Sequence, residues 1–439
     1  MLRLDAGRAW TTWAGTATAH PAATAHPATT AEVVDLVGEA RERGLTVKAV
    51  GSGHSFTDIA ITDGVLVQLD RLSGIVMADV PSGRVRVLGG TPLHRLNPAL
   101  AALGLALPNL GDIDRQTITG ALATGTHGTG ARFRGIADAV VGVRIVLADG
   151  SVHDCDREQE PELFEAARVS LGALGIITEV ELQCVPAFLL NARETPGTLT
   201  DTLAGLDDLV DGTDHFEFYW FPHTDRVLTK RNTRLSPDAG AHPLPRWRAW
   251  LDDELLSNRV FEGVNRVCTA RPEWVPRINR VTSRVLSARE FTTASHEVFA
   301  SPRDVRFREM EYAVPREVAR DVVSELARMV EARGYRLPFP VEVRFTAADD
   351  VWMSTAHGRD TCYIAVHQYH RMEHRDYFEA FEAIARAADG RPHWGKLHGR
   401  SRVDLEPAYP RFTDFVAVRE RVDPDRLFAN DYLDRVLGE

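Results

Sequence analysis

Residues 48–75 of the chain read KAVGSGHSFTDIAITDGVLVQLDRLSGI, and the loop GSGHSF at 51–56 places a histidine among small residues directly after an apolar run. Glycine at positions 51 and 53 permits positive φ and lets backbone N–H groups approach a ligand closely, and two serines add hydroxyl groups. This loop can therefore bind an anion. A histidine in it can coordinate a metal, shuttle protons or carry a covalently attached group, whereas the simplest alternative is a tight turn that exposes His54.

A second stretch, PNLGDIDRQTITGALATGTHGTGA at residues 108–131, is dense in glycine and threonine. This composition offers little apolar volume for a core, but it suits a segment that wraps a flat or phosphorylated ligand at short range. We identify no preceding strand and following helix of the dinucleotide-binding type, so the sequence argues against a Rossmann fold. The alternative for this stretch is a disordered polar loop.

Length and composition set the broad class of the protein. The chain has 439 residues, is 44% hydrophobic and 26% charged, and carries a net charge of -11. These values predict a globular protein of two or three domains and disfavour a nucleic-acid partner. Because no 18-residue apolar run and no signal peptide are present, we expect a cytoplasmic protein without an integral membrane segment.

The cysteines are widely spaced and form no CxxC pair, which predicts buried free thiols instead of disulfides or a structural zinc site. They are Cys155, Cys184, Cys268 and Cys362.

Hydrophobic periodicity differs between the two parts of the chain. The first 186 residues combine short strands with a helix that starts at Thr30 as N-cap and stops at Gly44, and with a hairpin that turns at Asp149 and Gly150. After residue 186, strands alternate with long amphipathic helices, which predicts an α+β domain built on an antiparallel sheet. The Pro-, Arg- and Trp-rich residues 240–256 are expected to form an exposed excursion.

Nine segments, in order along the chain, carry a family resemblance. They are GSGHSFTD, LPNLGDID, TGTHGTG, SLGALGIITEVELQ, HFEFYWFPHTD, REMEYAVPRE, VEVRF, DTCYIAVHQYH and RPHWGKLH. The first four resemble the flavin-binding half of the vanillyl-alcohol-oxidase superfamily. The others resemble its sugar-1,4-lactone oxidase branch, which includes L-gulono-1,4-lactone and D-arabinono-1,4-lactone oxidases and dehydrogenases, and the likeness is greatest to the actinobacterial type.

The resemblance implies an α+β, two-domain FAD-binding fold of the vanillyl-alcohol-oxidase type with an antiparallel-sheet cap domain. On this basis we expect an FAD-binding domain over 1–186 and a substrate-binding cap domain over 187–410. The remaining residues, 411–439, are expected to return to the flavin site.

The resemblance also implies that FAD is bound covalently through His54, whose neutral imidazole is nucleophilic near pH 7. Because residues 111–131 contain no cysteine, we expect a single link. The predicted cofactor-binding residues are Gly51, Ser52, Gly53, His54, Ser55, Gly111, Asp112, Thr117, Gly120, Thr124, Thr126, Gly128 and Ile177.

Gly111 corresponds in the family to a position near the oxygen-reactive carbon of the flavin, where plant dehydrogenases carry alanine. A glycine leaves the path of dioxygen more open, which favours an oxidase. The alternative is that Gly111 serves only a turn.

The substrate side is predicted from the resemblance together with strand geometry. Glu342 and Arg344 in VEVRF are two residues apart and therefore share one face of a strand, where they can bind a polyhydroxylated ring from both sides. Matching positions contact substrate hydroxyls in alditol-oxidase relatives, and Lys396 matches the lysine that the family directs at the reacting centre. We predict these three as catalytic residues; the alternative for Glu342 and Arg344 is a surface ion pair.

Asp112, His367 and Tyr369 are predicted to bind substrate. His367 and Tyr369 are two residues apart and therefore share one face of a strand. Glu311 and Tyr312 are further candidates for the pocket wall.

Two histidine pairs have spacing that resembles metal ligation. His370 and His374 stand four residues apart, but no HExxH order is present. His393 and His398 have no cysteine partners nearby. The sequence therefore predicts no metal site.

These observations predict FAD-dependent oxidation of a sugar 1,4-lactone, such as L-gulono-, L-galactono- or D-arabinono-1,4-lactone. A hydride would pass to covalent flavin, which is reoxidised by O2 or another acceptor. The alternatives are an alditol, polyol or cyclitol oxidase, or a flavin electron-transfer protein without oxidase turnover.

Overall fold

The computed structural model describes residues 4–245, 259–300 and 304–439. Most of the excursion predicted over 240–256 lies outside the described residues. In the described part of the chain, no helix combines the length and apolarity needed to cross a membrane.

The first part of the chain forms two main sheets and two small ones. The strands are β1 (Asp5–Ala6), β2 (Trp10–Thr11), β3 (Thr18–Ala19), β4 (Ala23–Ala25), β5 (Val47–Val50), β6 (Val65–Gln68), β7 (Ile75–Asp79), β8 (Arg84–Leu88), β9 (Leu105–Ala106), β10 (Val140–Val146), β11 (Val152–Cys155), β12 (Ile176–Gln183) and β13 (Val185–Pro186). One main sheet has the order β1-β4-β6-β5, with β4, β6 and β5 parallel. The other is antiparallel, with the order β11-β10-β12-β8-β7. The hairpin predicted at residues 149 and 150 is confirmed as the β10–β11 connection.

The helices of this part are α1 (Thr30–Glu42), α2 (Leu93–Ala102), α3 (Ile118–Ala123) and α4 (Pro161–Ala167). The apolar face of α1 packs between the two main sheets, in one core with Val65, Val146 and Ile176. The Thr29 side chain caps α1 by accepting a backbone N–H, so the predicted N-cap Thr30 is wrong by one residue. As predicted, the helix stops before Gly44, which adopts a φ of 63°.

Helix α3 lies inside the second glycine-rich stretch, where no helix was expected. Thr117 caps it by accepting the Gly120 N–H at 3.3 Å. Ile118 and Leu122 are buried in the main core of this part, so the stretch contributes a few core residues in addition to its glycines and threonines. Ile118, Ala121 and Leu122 form a short apolar repeat at positions i, i+3 and i+4, which is difficult to recognise among the surrounding small residues.

The second part of the chain forms one eight-stranded sheet with the order β17-β14-β16-β15-β19-β20-β18-β21, in which every neighbouring pair is antiparallel. Its strands are β14 (Leu189–Thr198), β15 (His215–Phe221), β16 (Arg226–Leu235), β17 (Arg289–Ala294), β18 (Phe307–Pro315), β19 (Val341–Thr346), β20 (Thr361–Tyr369) and β21 (Arg391–Pro392). The described helices are α5 (Leu199–Ala204), α6 (Leu206–Asp211), α7 (Phe261–Ala270), α8 (Val275–Thr282), α9 (Ser295–Phe299), α10 (Ala319–Arg333), α11 (Arg375–Ala387), α12 (Arg402–Leu405), α13 (Phe412–Val422) and α14 (Asp431–Leu437).

The two faces of this sheet differ in chemistry. One face is apolar and packs against α10 and α11 through side chains such as Phe218, Val343 and Ile364. Because side chains alternate along a strand, the residues between them point to the opposite face. That face is buried as well, yet it carries charged groups, including Glu342 and Arg344. The antiparallel α+β architecture predicted for this part is confirmed.

The C-terminal residues return to the first part of the chain. Asn430 caps α14 through the Leu433 N–H, and its side-chain amide donates to the carbonyls of residues 58, 59 and 61 at 3.1, 3.1 and 2.8 Å. The end of the chain is therefore fixed directly behind the GSGHSF loop. All four cysteines are buried and free, as predicted.

Candidate active site

A cleft opens between the GSGHSF loop and helix α3. Eight of the predicted cofactor-binding residues line it: Gly51, Ser52, Gly53, His54, Ser55, Thr117, Gly120 and Thr124. Five others lie elsewhere: Gly111, Asp112, Thr126, Gly128 and Ile177. Of these, Thr126 accepts a hydrogen bond at 3.2 Å from Gln116, which lines the cleft. Ile177 is buried in the core on β12, and the structure does not bring its side chain to the cleft.

Glycine is required where the two walls of the cleft approach each other. Gly53 has a φ of 73°, and a Cβ atom there would lie 2.8 Å from the Trp10 ring. A Cβ atom on Gly51 would clash with the Thr117 hydroxyl. The cleft is thus lined by backbone and short hydroxyl side chains, which suits the phosphates and flat rings of a dinucleotide such as FAD.

His54 is half-buried in this cleft, with the Trp13 ring centroid 5.7 Å from its own. Burial, followed by the positive charges of Lys396 and Arg115, lowers the pKa of His54 to about 4. The imidazole is therefore neutral near pH 7 and keeps an unprotonated ring nitrogen.

The HWGKLH segment meets the GSGHSF loop although the two are more than 300 residues apart in sequence. The Phe56 N–H donates to the Gly395 carbonyl at 2.7 Å. A Cβ atom on Gly395 would touch Ser55 and Thr124 at 3.4 Å, so this glycine brings three segments into contact. Lys396 forms an ion pair with Glu309, and its ammonium lies 5.1 Å from the Phe56 ring centroid.

Glu342 and Arg344 lie on the polar face of the eight-stranded sheet, and their side chains are 1% and 5% exposed. The alternative of a surface ion pair is therefore wrong. The Arg344 Nε atom lies 3.3 Å from Glu342, and its Nη2 atom lies 3.3 Å from Glu311 on β18. Asp112 reaches the same guanidinium from the first part of the chain at 3.9 Å.

These carboxylates control the charge on Arg344. Burial alone would lower the pKa of Arg344, but Glu342, Asp112 and Glu311 outweigh it and hold that pKa well above its ordinary value. Burial would likewise raise the pKa of Glu311, but His127 and Arg344 hold it well below its ordinary value. The group is a buried set of fixed charges that can donate to and accept from a polar ligand.

His127, in TGTHGTG, was not predicted as a site residue. Its Nε2 atom lies 3.3 Å from Glu311, and its ring stacks on Tyr363 with centroids 3.5 Å apart. The next residues dock on the sheet, where the Gly130 N–H donates to the Phe345 carbonyl at 2.6 Å. The segment therefore joins the cleft to the sheet. In the sequence, its place as a histidine inside a glycine-rich segment could have identified His127 as a site residue.

His127, Glu311 and His393 form a buried group whose potential ligand atoms lie within 4.8 Å of one another. The Gly395 N–H donates to Nδ1 of His393 at 3.0 Å. Burial, only partly offset by Glu311, lowers the pKa of His393 to about 3, so the ring is neutral and carries its proton on Nε2. That nitrogen then has no lone pair for a metal, and the arrangement fits hydrogen bonding better than ligation.

The other predicted positions divide between the site and its surroundings. His367 lies 3.4 Å from Glu309, the carboxylate that also pairs with Lys396. Tyr369 packs in an aromatic cluster with Phe56 and donates its hydroxyl to Glu262 at 2.8 Å.

The remaining candidates are settled by position. Tyr312 lies on the apolar face of the sheet, opposite to Glu311, so it does not line the polar site. His370 and His374 precede helix α11 and are not on a helix face.

Lys48 is a second residue that sequence reasoning missed. It lines the cleft, and its buried ammonium donates to the carbonyls of Phe428 and Gly172 at 2.8 and 3.2 Å. Burial, followed by Arg419, lowers its pKa to about 7. The chain has only three lysines, Lys48, Lys230 and Lys396, among 51 Lys and Arg residues. The rarity of lysine in this chain was the feature that could have drawn attention to Lys48.

Comparison with known proteins identifies the family. The D-arabinono-1,4-lactone oxidase family matches residues 180–436, and an FAD binding domain matches residues 21–156. The chain belongs to the D-arabinono-1,4-lactone oxidase family. It is 46% identical over 432 residues to L-gulono-1,4-lactone dehydrogenase of Mycobacterium tuberculosis, which covers 98% of this chain and 99% of that protein. It is 35% identical over 441 residues to L-gulonolactone oxidase of Mus musculus, with 98% of each chain covered.

A solved structure has the same fold at low identity. A solvent-stable cholesterol oxidase superposes with a TM-score of 0.86 at 19% identity, covering 100% of this chain and 98% of that one. The predicted family, the FAD-binding α+β fold and the assignment as an oxidoreductase of the aldonolactone oxidase and dehydrogenase family are confirmed. FAD is supported as cofactor by its domain match. The exact domain boundaries and the roles of individual residues stay predictions.

The buried histidines make the stability of the fold depend on pH. Burial, followed by Arg435 and Arg400, lowers the pKa of His398 to about 3, and its Nε2 atom lies 3.0 Å from the Tyr432 hydroxyl. Below pH 6.5 an unfolded histidine gains a proton that folded His398 does not accept. The contribution of His398 to the free energy of unfolding is therefore fully present above pH 6.5 and is lost as the pH falls toward 3. Between pH 7 and pH 5 this one histidine should account for a loss of about 2 kcal/mol in the free energy of unfolding.

Urea unfolding at the two pH values tests this expectation with His398→Asn. The loss of stability between pH 7 and pH 5 should be smaller in this variant than in the wild type. The exposed His20→Asn substitution should leave the wild-type loss unchanged. An equal loss in His398→Asn and wild type would contradict the assignment.

Proposed function

We propose that the chain oxidises a sugar 1,4-lactone, such as L-gulono-, L-galactono- or D-arabinono-1,4-lactone. A hydride passes from the carbinol carbon to FAD carried covalently by His54, and electrons then leave to O2 or another acceptor. The observation that carries this proposal is the approach of Asp112, from the predicted flavin segment, to the buried Glu342–Arg344 pair at 3.9 Å. It supports a polar substrate site directly beside the cofactor cleft.

The residues around Arg344 are suited to a polyhydroxylated ring. The Arg344 guanidinium donates to ring or carbonyl oxygens, while the Glu342 carboxylate accepts from hydroxyl groups. Burial excludes water and strengthens both interactions. The Glu342 carboxylate accepts a hydrogen bond from the reacting hydroxyl group of the substrate. It takes the hydroxyl proton as the neighbouring C–H bond breaks.

The chemistry that FAD supplies when bound is acceptance of a hydride. The residues that would hold it are the cleft-lining backbone of 51–55, Thr117, Gly120 and Thr124. Lys396 supplies positive charge beside His54, which favours the negative charge that the reduced cofactor acquires. Glu309 and His367 keep Lys396 in place.

The substrate class is tested by anaerobic stopped-flow reduction with L-gulono-1,4-lactone, xylitol and myo-inositol. The lactone should bleach the flavin fastest. Lys396→Met should slow this step by about 100-fold or more, because one preorganised charge next to the reacting centre is lost. The exposed Arg328→Met substitution should leave the rate unchanged.

Since Lys396→Met leaves Glu309 without its cation, the double variant Lys396→Met/Glu309→Gln separates catalysis from stability. Its thermal midpoint should stay near the wild-type value while its reduction stays slow. Faster reduction by xylitol or inositol would favour the polyol alternative, and the absence of reduction by all three would favour electron transfer without oxidase turnover.

The covalent link is tested separately. Acid-precipitated wild-type protein should stay yellow, and its intact mass should exceed the polypeptide mass by that of one flavin. His54→Ala should release the flavin into the acid supernatant, whereas His20→Ala should not. If acid releases the flavin from the wild type while the lactone still reduces the bound flavin at a normal rate, the covalent link is contradicted. The proposed oxidation of the lactone is then unaffected.

A substitution at Gly111 tests whether O2 is the electron acceptor. Its φ does not require glycine, and a Cβ atom there would lie 3.1 Å from the Thr126 methyl and 3.2 Å from the His127 carbonyl. Gly111→Ala should slow reoxidation by O2 by about tenfold or more, equal to about 1.4 kcal/mol in the barrier, with little change in reduction by lactone.

Gly135→Ala is a matched control, because its Cβ atom would approach the same two residues at 3.4 and 3.7 Å. Reoxidation should be normal in this variant. Equal O2 rates in the wild type and Gly111→Ala would assign Gly111 to the turn alone.

A further inference from the structure

Helices α7 and α8, with the residues that flank and join them, form a surface unlike the rest of the molecule. We call it the basic apolar surface. Its exposed apolar side chains are Val260, Val267, Trp274, Val281 and Val285, with exposed fractions of 45%, 43%, 47%, 62% and 76%. Its exposed cations are Arg259, Arg266, Arg271, Arg277, Arg280 and Arg284.

The apolar residues are concentrated and regularly spaced. Five of the eleven exposed large apolar side chains in the described part of the chain fall within these few turns. Four of them, at 260, 267, 274 and 281, are seven residues apart. Because seven residues make nearly two helical turns, Val260, which directly precedes α7 with helical backbone angles, lies on the same side as Val267 within it. Trp274, which directly precedes α8, and Val281 within it are related in the same way.

The opposite sides of both helices are anchored to the body of the protein. Asn279 of α8 is buried and donates to the carbonyls of Pro222 and Leu337 at 3.0 and 2.8 Å. On α7, Phe261 packs on Phe339 with ring centroids 4.7 Å apart. The exposed apolar stripe is therefore held on a fixed scaffold and has no partner in the described residues.

The charge of this surface is opposite to that of the chain. Residues 259–285 contain six arginines and two glutamates, whereas the whole chain has a net charge of -11. Glu262 is occupied by Arg266 at 2.8 Å and by the Tyr369 hydroxyl. Among the described residues, no carboxylate forms an ion pair with Arg271, Arg277, Arg280 or Arg284, whereas Arg266 pairs with Glu262.

We propose that the basic apolar surface binds the surface of an anionic lipid bilayer, with α7 and α8 lying in the plane of the headgroups. Valine and tryptophan side chains enter the interface between headgroups and acyl chains, and the arginines pair with lipid phosphates. In this arrangement α7 and α8 lie on the bilayer, and none of the described helices is long and apolar enough to cross it. This inference does not depend on the proposed reaction.

Other occupants fit this surface less well. A second copy of the chain would place two positive patches against each other across a twofold interface, which costs energy. A nucleic acid would pair with the arginines but offers no apolar layer for the five exposed apolar side chains. A bilayer supplies both negative charge and an apolar layer, and screening confines the repulsion from the rest of the acidic chain to short distances.

Co-sedimentation with vesicles tests the proposal with the full-length, FAD-loaded protein. Vesicles of phosphatidylcholine alone are compared with vesicles that also contain about 30 mol % phosphatidylglycerol, a proportion that gives a strongly negative surface. The wild type should partition onto the anionic vesicles at least about tenfold more strongly than onto the neutral ones, and added salt should weaken this binding.

Two variants separate the contributions of charge and apolar contact. Arg277→Glu/Arg284→Glu and Trp274→Ser/Val281→Ser/Val285→Ser should each reduce partitioning at least about tenfold. Matched controls lie elsewhere on the surface: Val403→Ser, at an 85% exposed valine, and Arg328→Glu, at a 73% exposed arginine side chain, should bind like the wild type. All the substituted side chains are exposed, and thermal unfolding verifies that each variant is folded.

Three results would overturn the proposal. They are no binding of the wild type to anionic vesicles at low salt, binding that the control variants reduce equally, or binding that survives both surface variants. Sedimentation velocity without lipid adds a further check. If the wild type self-associates, does not bind vesicles, and the apolar variant alone restores the monomer, the surface is a contact between copies of the chain.

Discussion

A guanidinium that is 5% exposed has to be neutralised where it lies, and much of this structure is arranged around that requirement at Arg344. Removing a charge from water costs several kcal/mol, and only well-placed partners recover it. The partners come from different places: Glu342 from the same strand, Glu311 from another strand of the sheet, and Asp112 from a loop of the first part. One buried charge therefore ties the two parts of the chain together at the point where substrate is proposed to bind.

The eight-stranded sheet makes this arrangement possible because one of its faces forms an apolar core and the other carries the buried charged residues. Alternation along each strand places Phe218, Val343 and Ile364 in an apolar core against α10 and α11. The intervening residues form a polar face that is equally buried, since the glycine-rich segments of the first part cover it. The side chains of the polar face are thus held by regular strands, while the cofactor cleft is formed by loops whose glycines permit close backbone approach. Rigid strands give precision, and loops give access.

Local patterns were sufficient for much of this architecture. Period-2 alternation placed Glu342 and Arg344 on one strand face, and amphipathic repeats located α10 and α11. Family resemblance brought His54 and Lys396 into one site, which spacing alone does not imply. His127 and Lys48 were missed because their partners, Glu311 and Phe428, lie far away in sequence, and periodicity reports which face a residue occupies but not which segment covers it. The same limit explains α3, whose few apolar residues become a core only against distant strands.

The distribution of the three lysines has a practical consequence. Lys48 is 2% exposed, and the Lys230 and Lys396 side chains are 25% and 19% exposed, each in contact with a carboxylate or carbonyl partner. The surface of the described residues thus offers many arginine side chains but almost no lysine ammonium. Amine-directed reagents, which label most proteins at random, would here act slowly and near the proposed centre, so acylation mapped by peptide mass becomes a gauge of whether that centre is occupied.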